Sequence, residues 1–500
     1  MRRRMSALIA AVVGVGLTVS QGAAAAAPSP TGTTPTRAKA SGVTQWTTRD
    51  GQSGNPITSV LPLSDQPAAK AAAPGTTVYV DPALKFQTIT GFGASITDSS
   101  AYNLYRLDEA QRAAVMNRLF DPATGAGISF LRQPIGASDF ATGSAYSYDD
   151  MPPGQTDLAL EHFSIAHDEK QIIPLLKQAK ARNPRLTIMA SPWSPPGWMK
   201  TTDSMIDGKL KDDPAIYRAY AGYLVKFLQA YRKAGLDVSY LTIQNEPQAL
   251  LRLDYPGTDL PVAQAAKVIN ELGPAIKRAG LSTKIIGFDH NWALHWYDAA
   301  ALQAANGDPE VDYPYKLLAT NAAKWVYGTA YHCYYGDPTA QTALKASYPG
   351  KQIFMTECEG LNINRTIGSL RNWANSVVAW NIALDENHGP FIGGCKTCTG
   401  LVTVDSTTNA VTYNPRYHLI SQFSKFVKPG AVRVSSTAVD TIEGQALAVQ
   451  SVAFRNPDAT IALVVNNMST TEPQTFTVVA GDQSFTATLD PSSTSTFTWK

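Results

Sequence analysis

The sequence has no excess of charge of either sign. Its 42 Lys and Arg are offset by 40 Asp and Glu, for a formal net charge of +2 over 500 residues. No run of five basic residues occurs, so the cationic stripe that a nucleic acid requires is missing. Long apolar runs are missing too, beyond the first residues. There, Arg2, Arg3 and Arg4 precede an apolar stretch, 7–19, and an alanine-rich run ending near Ala27. That stretch is too short, and too diluted by Gly14 and Gly16, for the roughly 20 residues of a membrane span. Its charged, apolar and small-residue order is that of a secretory signal, so 1–27 is predicted to be a signal and the protein to be secreted, with no stable membrane insertion. Segment 28–41 is Pro, Thr, Ser, Gly and Ala with little to bury, and is expected to be a flexible leader.

Cysteine is scarce. Cys395 and Cys398 lie in the glycine-rich GGCKTCTG, whereas Cys333 and Cys358 stand alone on apparent strands. A zinc site would need a second thiol or imidazole pair, so a small Cys395–Cys398 loop disulfide is the better reading in an exported chain. No metal and no organic cofactor is implied. What the chain does hold is an ordinary globular balance, 44% apolar and 16% charged, with 21 Tyr and 9 Trp. Aromatics serve as platforms for sugar rings as well as core residues.

From 86 to 420 the pattern alternates. Short apolar runs end in polar or glycine residues: TITGFGA (88–94), ISFLRQ (128–133), LTIMAS (186–191), SYLTIQN (239–245), KIIGF (284–288), TAYH (329–332), QIFMT (352–356) and SVVAWN (376–381). Longer helical patterns lie between them. In one, Ala110, Ala113, Ala114 and Met116 share a face at the 3.6-residue period. Another starts at Asp213-Pro214 and stops at Gly235. About eight strand–helix units predict an α/β fold, a closed (β/α)8 TIM barrel. An open doubly wound sheet would want a third glycine after GFGAS, and none stands at the right offset. Residues 421–500 change to short alternating runs with turn residues, the mark of an antiparallel β-sandwich that two early strands within 42–85 can join.

Chemistry in such a barrel sits at the C-terminal ends of its strands. The fourth strand ends in TIQNEP, with Glu246, and the seventh in FMTECEG, with Glu357. Cleaving a glycosidic bond needs two carboxyl groups, one protonated to release the leaving oxygen and one ionised to attack carbon or activate water. Each acid has a plainer reading: Asn-Glu-Pro as a helix start, Glu357 as half of a buried ion pair. Together, on two strand ends of one barrel, they point to catalysis. Glu359 lies past its strand, beside Gly360, and reads as a solvated or loop-bonded acid.

The ordered blocks ITGFGASITDSS, FLRQPIGASDF, ASPWSPPGWMK, TIQNEP, TAYHCYYG, FMTECEG and VVAWNIALD resemble glycoside hydrolase family 30, the group that contains lysosomal glucosylceramidase and microbial β-1,6-glucanases. The resemblance covers about 75 to 430. It implies a barrel fused to a side β-sandwich built from both chain ends, Glu246 as acid/base and Glu357 as nucleophile. It also implies Asp98 on sugar hydroxyls, Arg132 near a carboxylate, Trp193 walling the sugar site and Asn245 on the 2-hydroxyl. His332 and Tyr334 would position the nucleophile, and Trp380 would floor the pocket. Asp98 has the alternative of a helix cap, and Trp193 that of a core indole. Cys333 replaces the aromatic that glucosylceramidase carries between His and Tyr, and GGCKTCTG is closer to microbial relatives. The expected activity is retaining hydrolysis of β-glucosidic bonds in a polysaccharide, oligosaccharide or glycolipid by a monomer. Xylan, galactan or fucoside specificity, transglycosylation, or sugar binding without turnover on the same scaffold are the alternatives.

Overall fold

The computed structural model describes residues 42–49, 56–64, 77–249, 254–305, 307–437 and 449–500. The expected signal, 1–27, and leader, 28–41, lie outside them. Three strands come first: β1 (Val43–Arg49), β2 (Ile57–Leu61) and β3 (Thr77–Thr88). Eight strands then alternate with helices: β4 (Gly91–Ser95), β5 (Phe130–Ile135), β6 (Thr187–Pro192), β7 (Tyr240–Thr242), β8 (Lys284–Asn291), β9 (Val326–His332), β10 (Gln352–Glu357) and β11 (Ala374–Asn381). All eight pair in parallel, and β11 returns to β4 to close a barrel. β12 (Ala383–Leu384), β13 (Val402–Val404) and β14 (Val411–Tyr413) make a small sheet. β15 (Val432–Ser436), β16 (Val449–Arg455), β17 (Ile461–Asn467), β18 (Gln474–Ala480), β19 (Gln483–Leu489) and β20 (Ser493–Trp499) complete the strands.

The helices start and stop where local chemistry tells them to. Pro214–Lys233 is capped by Asp213, whose carboxylate accepts from Ala215 N, and opens on a proline that has no N–H to satisfy. Gly235 follows at φ +84°, a conformation glycine adopts freely. Glu109–Phe120 carries a capping box of Asp108 and Gln111. Its buried face is not the alanine face expected from the sequence: Val115, Met116, Leu119 and Phe120 are buried, and Ala110 and Ala114 are exposed. The larger side chains take the core because each removes more apolar surface from water.

The β-sandwich is one continuous sheet in the order β19–β18–β3–β15–β16–β17–β20–β1–β2. Its ends meet where Ser64 bridges Ser484, so the sheet folds over a core that includes Val43, Val78, Leu463, Phe476, Phe485 and Phe497. The sheet is mixed rather than purely antiparallel, because β18 runs parallel to β3. β3 lies between two C-terminal strands, so neither chain end builds this sheet alone. The helix Pro415–Ser424 joins it to the barrel. Gln422 Nε2 donates to Thr48 Oγ1 and Thr494 O, while Phe423 packs on Phe92 of β4.

Inside the barrel, side chains stack in layers. One is apolar: Phe130, Met189, Ile286, Ala330, Phe354 and Val378, with Tyr240 beside them. Two residues further along the same strands, also buried, stand Arg132, Ser191, Thr242, His332, Thr356 and Trp380. β8 breaks the count, because its register with β9 shifts between Ile286 and Asp289. Phe288 packs with Tyr313 and Tyr331 instead, and Asp289 joins the polar layer.

Candidate active site

Arg132 is fully buried on β5 and ties four strand ends together. Its Nη1 donates to Glu357 Oε2 at 2.7 Å, and its Nη2 donates to Asp289 Oδ2 at 2.7 Å and to Asn245 Oδ1 at 2.6 Å. Burial opposes its charge, but Asp289 and Glu357 outweigh that and hold its pKa above the ordinary guanidinium value. Ser191 and Thr356 donate to the two Asp289 oxygens at 3.0 and 2.7 Å. Burial alone would raise the Asp289 pKa. The Arg132 charge and the hydrogen bond from His332 reverse this and hold it far below the carboxylate range. His332, also fully buried, lies 3.1 Å from Asp289 through Nε2 and 2.9 Å from Glu246 Oε1 through Nδ1. Burial favours the neutral ring, yet the Glu357 charge and the bonds to Asp289 and Glu246 raise its pKa to about 9. At neutral pH it is an imidazolium that donates from both nitrogens.

Glu246 owes its position to a turn. β7 ends at Thr242, Asn245 N donates to Pro192 O at 2.7 Å and Glu246 N donates to Asp289 O at 2.8 Å. Glu246 sits at φ +45°, in the left-handed region, which costs a residue with a β-carbon roughly 1–3 kcal/mol. Glu357 ends β10, where the register with β9 shifts. Tyr334 Oη donates to Glu357 Oε1 at 2.8 Å. Tyr334 is itself partly exposed and lines the cavity. Burial and then the charges of Glu357 and Glu246 push its pKa well above the ordinary phenol value.

One carboxylate oxygen of Glu246, one of Glu357 and a ring nitrogen of His332 all lie within 4.8 Å of one another. The same three groups are also of the kind and spacing that could hold a metal ion. Both glutamates are nearly buried, 4% and 6% exposed, yet they line a cavity of about 710 Å³ with Asn245, Trp193, Trp380 and Tyr334. Trp193 and Trp380 stack with centroids 4.9 Å apart, and the Arg132 guanidinium lies 4.8 Å from the first ring.

The sequence matches the Glycosyl hydrolase family 30 TIM-barrel domain over residues 89–427 and the Glycosyl hydrolase family 30 beta sandwich domain over 430–497. The chain belongs to glycoside hydrolase family 30. An endo-1,6-β-D-glucanase of Neurospora crassa is 38% identical over 408 residues, 78% of this chain and 80% of its own. The lysosomal acid glucosylceramidase of Mus musculus is 28% identical over 471 residues, 86% of this chain and 85% of its own. Among solved structures, the endo-β1,6-glucanase BT3312 superposes with a TM-score of 0.78 at 31% identity, covering 92% of this chain and 99% of its own. This family 30 member is therefore a glycoside hydrolase, an enzyme acting on glycans. Among the described residues, no helix is long and apolar enough to cross a membrane.

The residues singled out in the family 30 sequence are not all in one place. Glu246, Glu357, Arg132, Asn245, His332, Tyr334, Trp193 and Trp380 meet around the cavity and the network beneath it. Trp193 is both wall and core, because it also packs with Phe140, Tyr255 and Leu384. His332 bonds Glu246 and stands 4.0 Å from Glu357, so Tyr334 and Arg132, not His332, hold the second glutamate. Asp98 lies outside the cavity lining. It accepts from Tyr146 at 3.0 Å and lies 2.7 Å from His167 Nε2, while Thr97 caps the helix. Glu359 is bonded by Thr399 N and paired with Arg416, which anchors the 395–400 loop to the end of β10.

Cys395–Cys398 is a disulfide, and Cys333 and Cys358, whose pairing the sequence leaves open, form a second. That second bridge joins the segment between His332 and Tyr334 to the residue after Glu357. Asp289 was missed from the sequence altogether, although an acid at the end of the apolar run KIIGFD is the same signal that exposes Glu357. Asp139 and Tyr255, from irregular segments, and Tyr297 and Asp298, from the first turn of the helix Trp296–Ala304, also line the cavity.

Proposed function

We propose that this family 30 enzyme is exported and hydrolyses β-1,6-linked glucan by double displacement, with Glu357 as nucleophile and Glu246 as acid/base. The observation that carries this reading is the approach of the two carboxylates within 4.8 Å over an open cavity. A retaining pair stands about 5–5.5 Å apart, whereas an inverting pair leaves roughly 6.5–9.5 Å for a water. The glycone packs against Trp193 and Trp380. Arg132 occupies Asn245 Oδ1, which leaves the amide NH2 for the sugar 2-hydroxyl. Glu357 attacks the anomeric carbon as Glu246 gives its proton to the departing oxygen. Glu246 then takes a proton from water, which frees the sugar.

Charge supports these roles. Arg132 and His332 carry two positive charges, and Asp289 and Glu357 two negative ones. These four charges sum to zero with Glu246 protonated, the state the first step needs. When Glu357 becomes an ester and Glu246 an anion, the sum over these five groups is still zero, so the first step moves no net charge into the cluster. Two disulfides suit an oxidising compartment and favour export. The greater likeness to the fungal 1,6-glucanase than to the glucosylceramidase favours the glucan over the lipid-linked sugar. The test is reducing-sugar release from β-1,6-glucan, xylan, galactan and glucosylceramide by the purified enzyme. Release from β-1,6-glucan well above the others is expected, and release from xylan or galactan alone would overturn the assignment.

A further inference from the structure

Single exposed aromatic side chains are ordinary, whereas a contiguous patch of them marks a binding surface. Seven stand exposed among the described residues, and four of them follow β8 and β9: Trp296 and Tyr297 open the helix Trp296–Ala304 after β8, and Tyr334 and Tyr335 lie in the loop after β9. Trp296 is the most open of the seven, at 68% exposed. The rings are held in place rather than loose. His295 caps the helix Trp296–Ala304, its Nδ1 accepting from Tyr297 N. Its ring lies between Tyr297, at 3.6 Å, and Tyr335, at 4.2 Å. Trp296 meets Tyr297 edge-on at 5.8 Å, and Ala293 N donates to Tyr335 O, which ties the two loops together.

Topology gives this cluster its place. β7 and β10, whose ends carry the two glutamates, divide the rim of the barrel into two arcs. One arc, β11–β4–β5–β6, carries Trp380 and Trp193, where the glycone stacks. The other, β8–β9, carries the exposed aromatics, and Tyr297 lines the same cavity as Glu246 and Glu357. A sugar held on the first arc and cleaved between the glutamates has its leaving part over the second. β-Linked glucopyranose presents axial C–H groups on its ring faces, an apolar surface that packs on an aromatic ring while the equatorial hydroxyls stay in water.

We propose that Trp296, Tyr297 and Tyr335 form a stacking platform for the glucosyl units on the leaving side of a β-glucan chain. This rests on the assignment of Glu246 and Glu357 as the catalytic pair. The test compares kcat/KM on a β-1,6-linked gluco-oligosaccharide with that on β-glucosyl fluoride, whose leaving group is a single ion that cannot reach the platform. In Trp296→Ala the ratio of the two should fall about tenfold, through KM for the oligosaccharide, and Trp296→Phe should restore most of it. Trp296 is on the surface, so neither change threatens the fold. A ratio unchanged in Trp296→Ala, or lowered equally in both variants, overturns the platform. A wild-type enzyme inert toward both substrates overturns instead the catalytic pair on which the platform rests.

Discussion

On β5, Phe130 and Arg132 point into the same barrel one pleat apart; on β9 the pair is Ala330 and His332, and on β10 it is Phe354 and Thr356. All six are buried, so burial does not distinguish the two layers. The lower layer stabilises by removing apolar surface from water. The upper layer buries Arg132, His332 and Asp289 beneath the two cavity-lining glutamates, which is costly unless each charge finds its partners. The difference teaches where a barrel keeps stability and where it keeps chemistry: the same strands carry both, and the polar layer stands only because the apolar one lies beneath it.

Substitutions can break that division, and the largest effect is expected at Glu357. Glu357→Gln should lower turnover of an aryl β-glucoside by on the order of 10⁴-fold or more. The melting temperature should move little, because Arg132 keeps Asp289. A rate close to that of the wild type would remove Glu357 from the mechanism.

Two substitutions of similar stability cost then separate the layers. Asp289→Asn takes a charge from between Arg132 and His332 and should cost about 3–5 kcal/mol. Phe354→Ala opens a hole in the lower layer and should cost about 3–5 kcal/mol as well. Denaturant unfolding measures both. The folded Phe354→Ala enzyme should keep its kcat within a few-fold, whereas Asp289→Asn should lose much more, since Asp289 holds both cations that face the glutamates. Equal losses of kcat would show that the layers are not functionally distinct.

pH gives a smaller effect of defined sign. His332 has a raised pKa, so its contribution to stability is complete below its unfolded value near 6.5 and is lost as pH rises through about 9. Asp289 is depressed, so its contribution is present above the ordinary carboxylate value and is lost on acidification. Buried Lys200, whose pKa is pushed down to about 7, acts in the opposite direction over the same range, so the readable quantity is the difference between wild type and His332→Asn, which should shrink between pH 7 and 10. A difference that stays constant over this range would mean that the ring is not charged in the folded state.

The barrel was legible in the sequence because each of its eight strands is a short apolar run ended by polar residues or glycine, and Glu246 and Glu357 stand directly after two such runs. Asp289 was not, because alternation along KIIGFD points Phe288 inward and only the register shift against β9 exchanges it for Asp289. The Cys333–Cys358 bridge was hidden for a related reason: the residues are 25 apart, and only the pairing of β9 with β10 brings them together. The partners of Asp98, Tyr146 and His167, stand 48 and 69 residues away and were not visible in its motif. Composition and periodicity locate elements; they do not report which neighbour an element finds.

The most direct check of the account is the anomeric form of the sugar first released, followed by proton NMR during hydrolysis of a β-glucoside by freshly mixed enzyme. The β-anomer appearing first, before mutarotation, is the result expected of Glu246 and Glu357 at this separation. The α-anomer appearing first would contradict it.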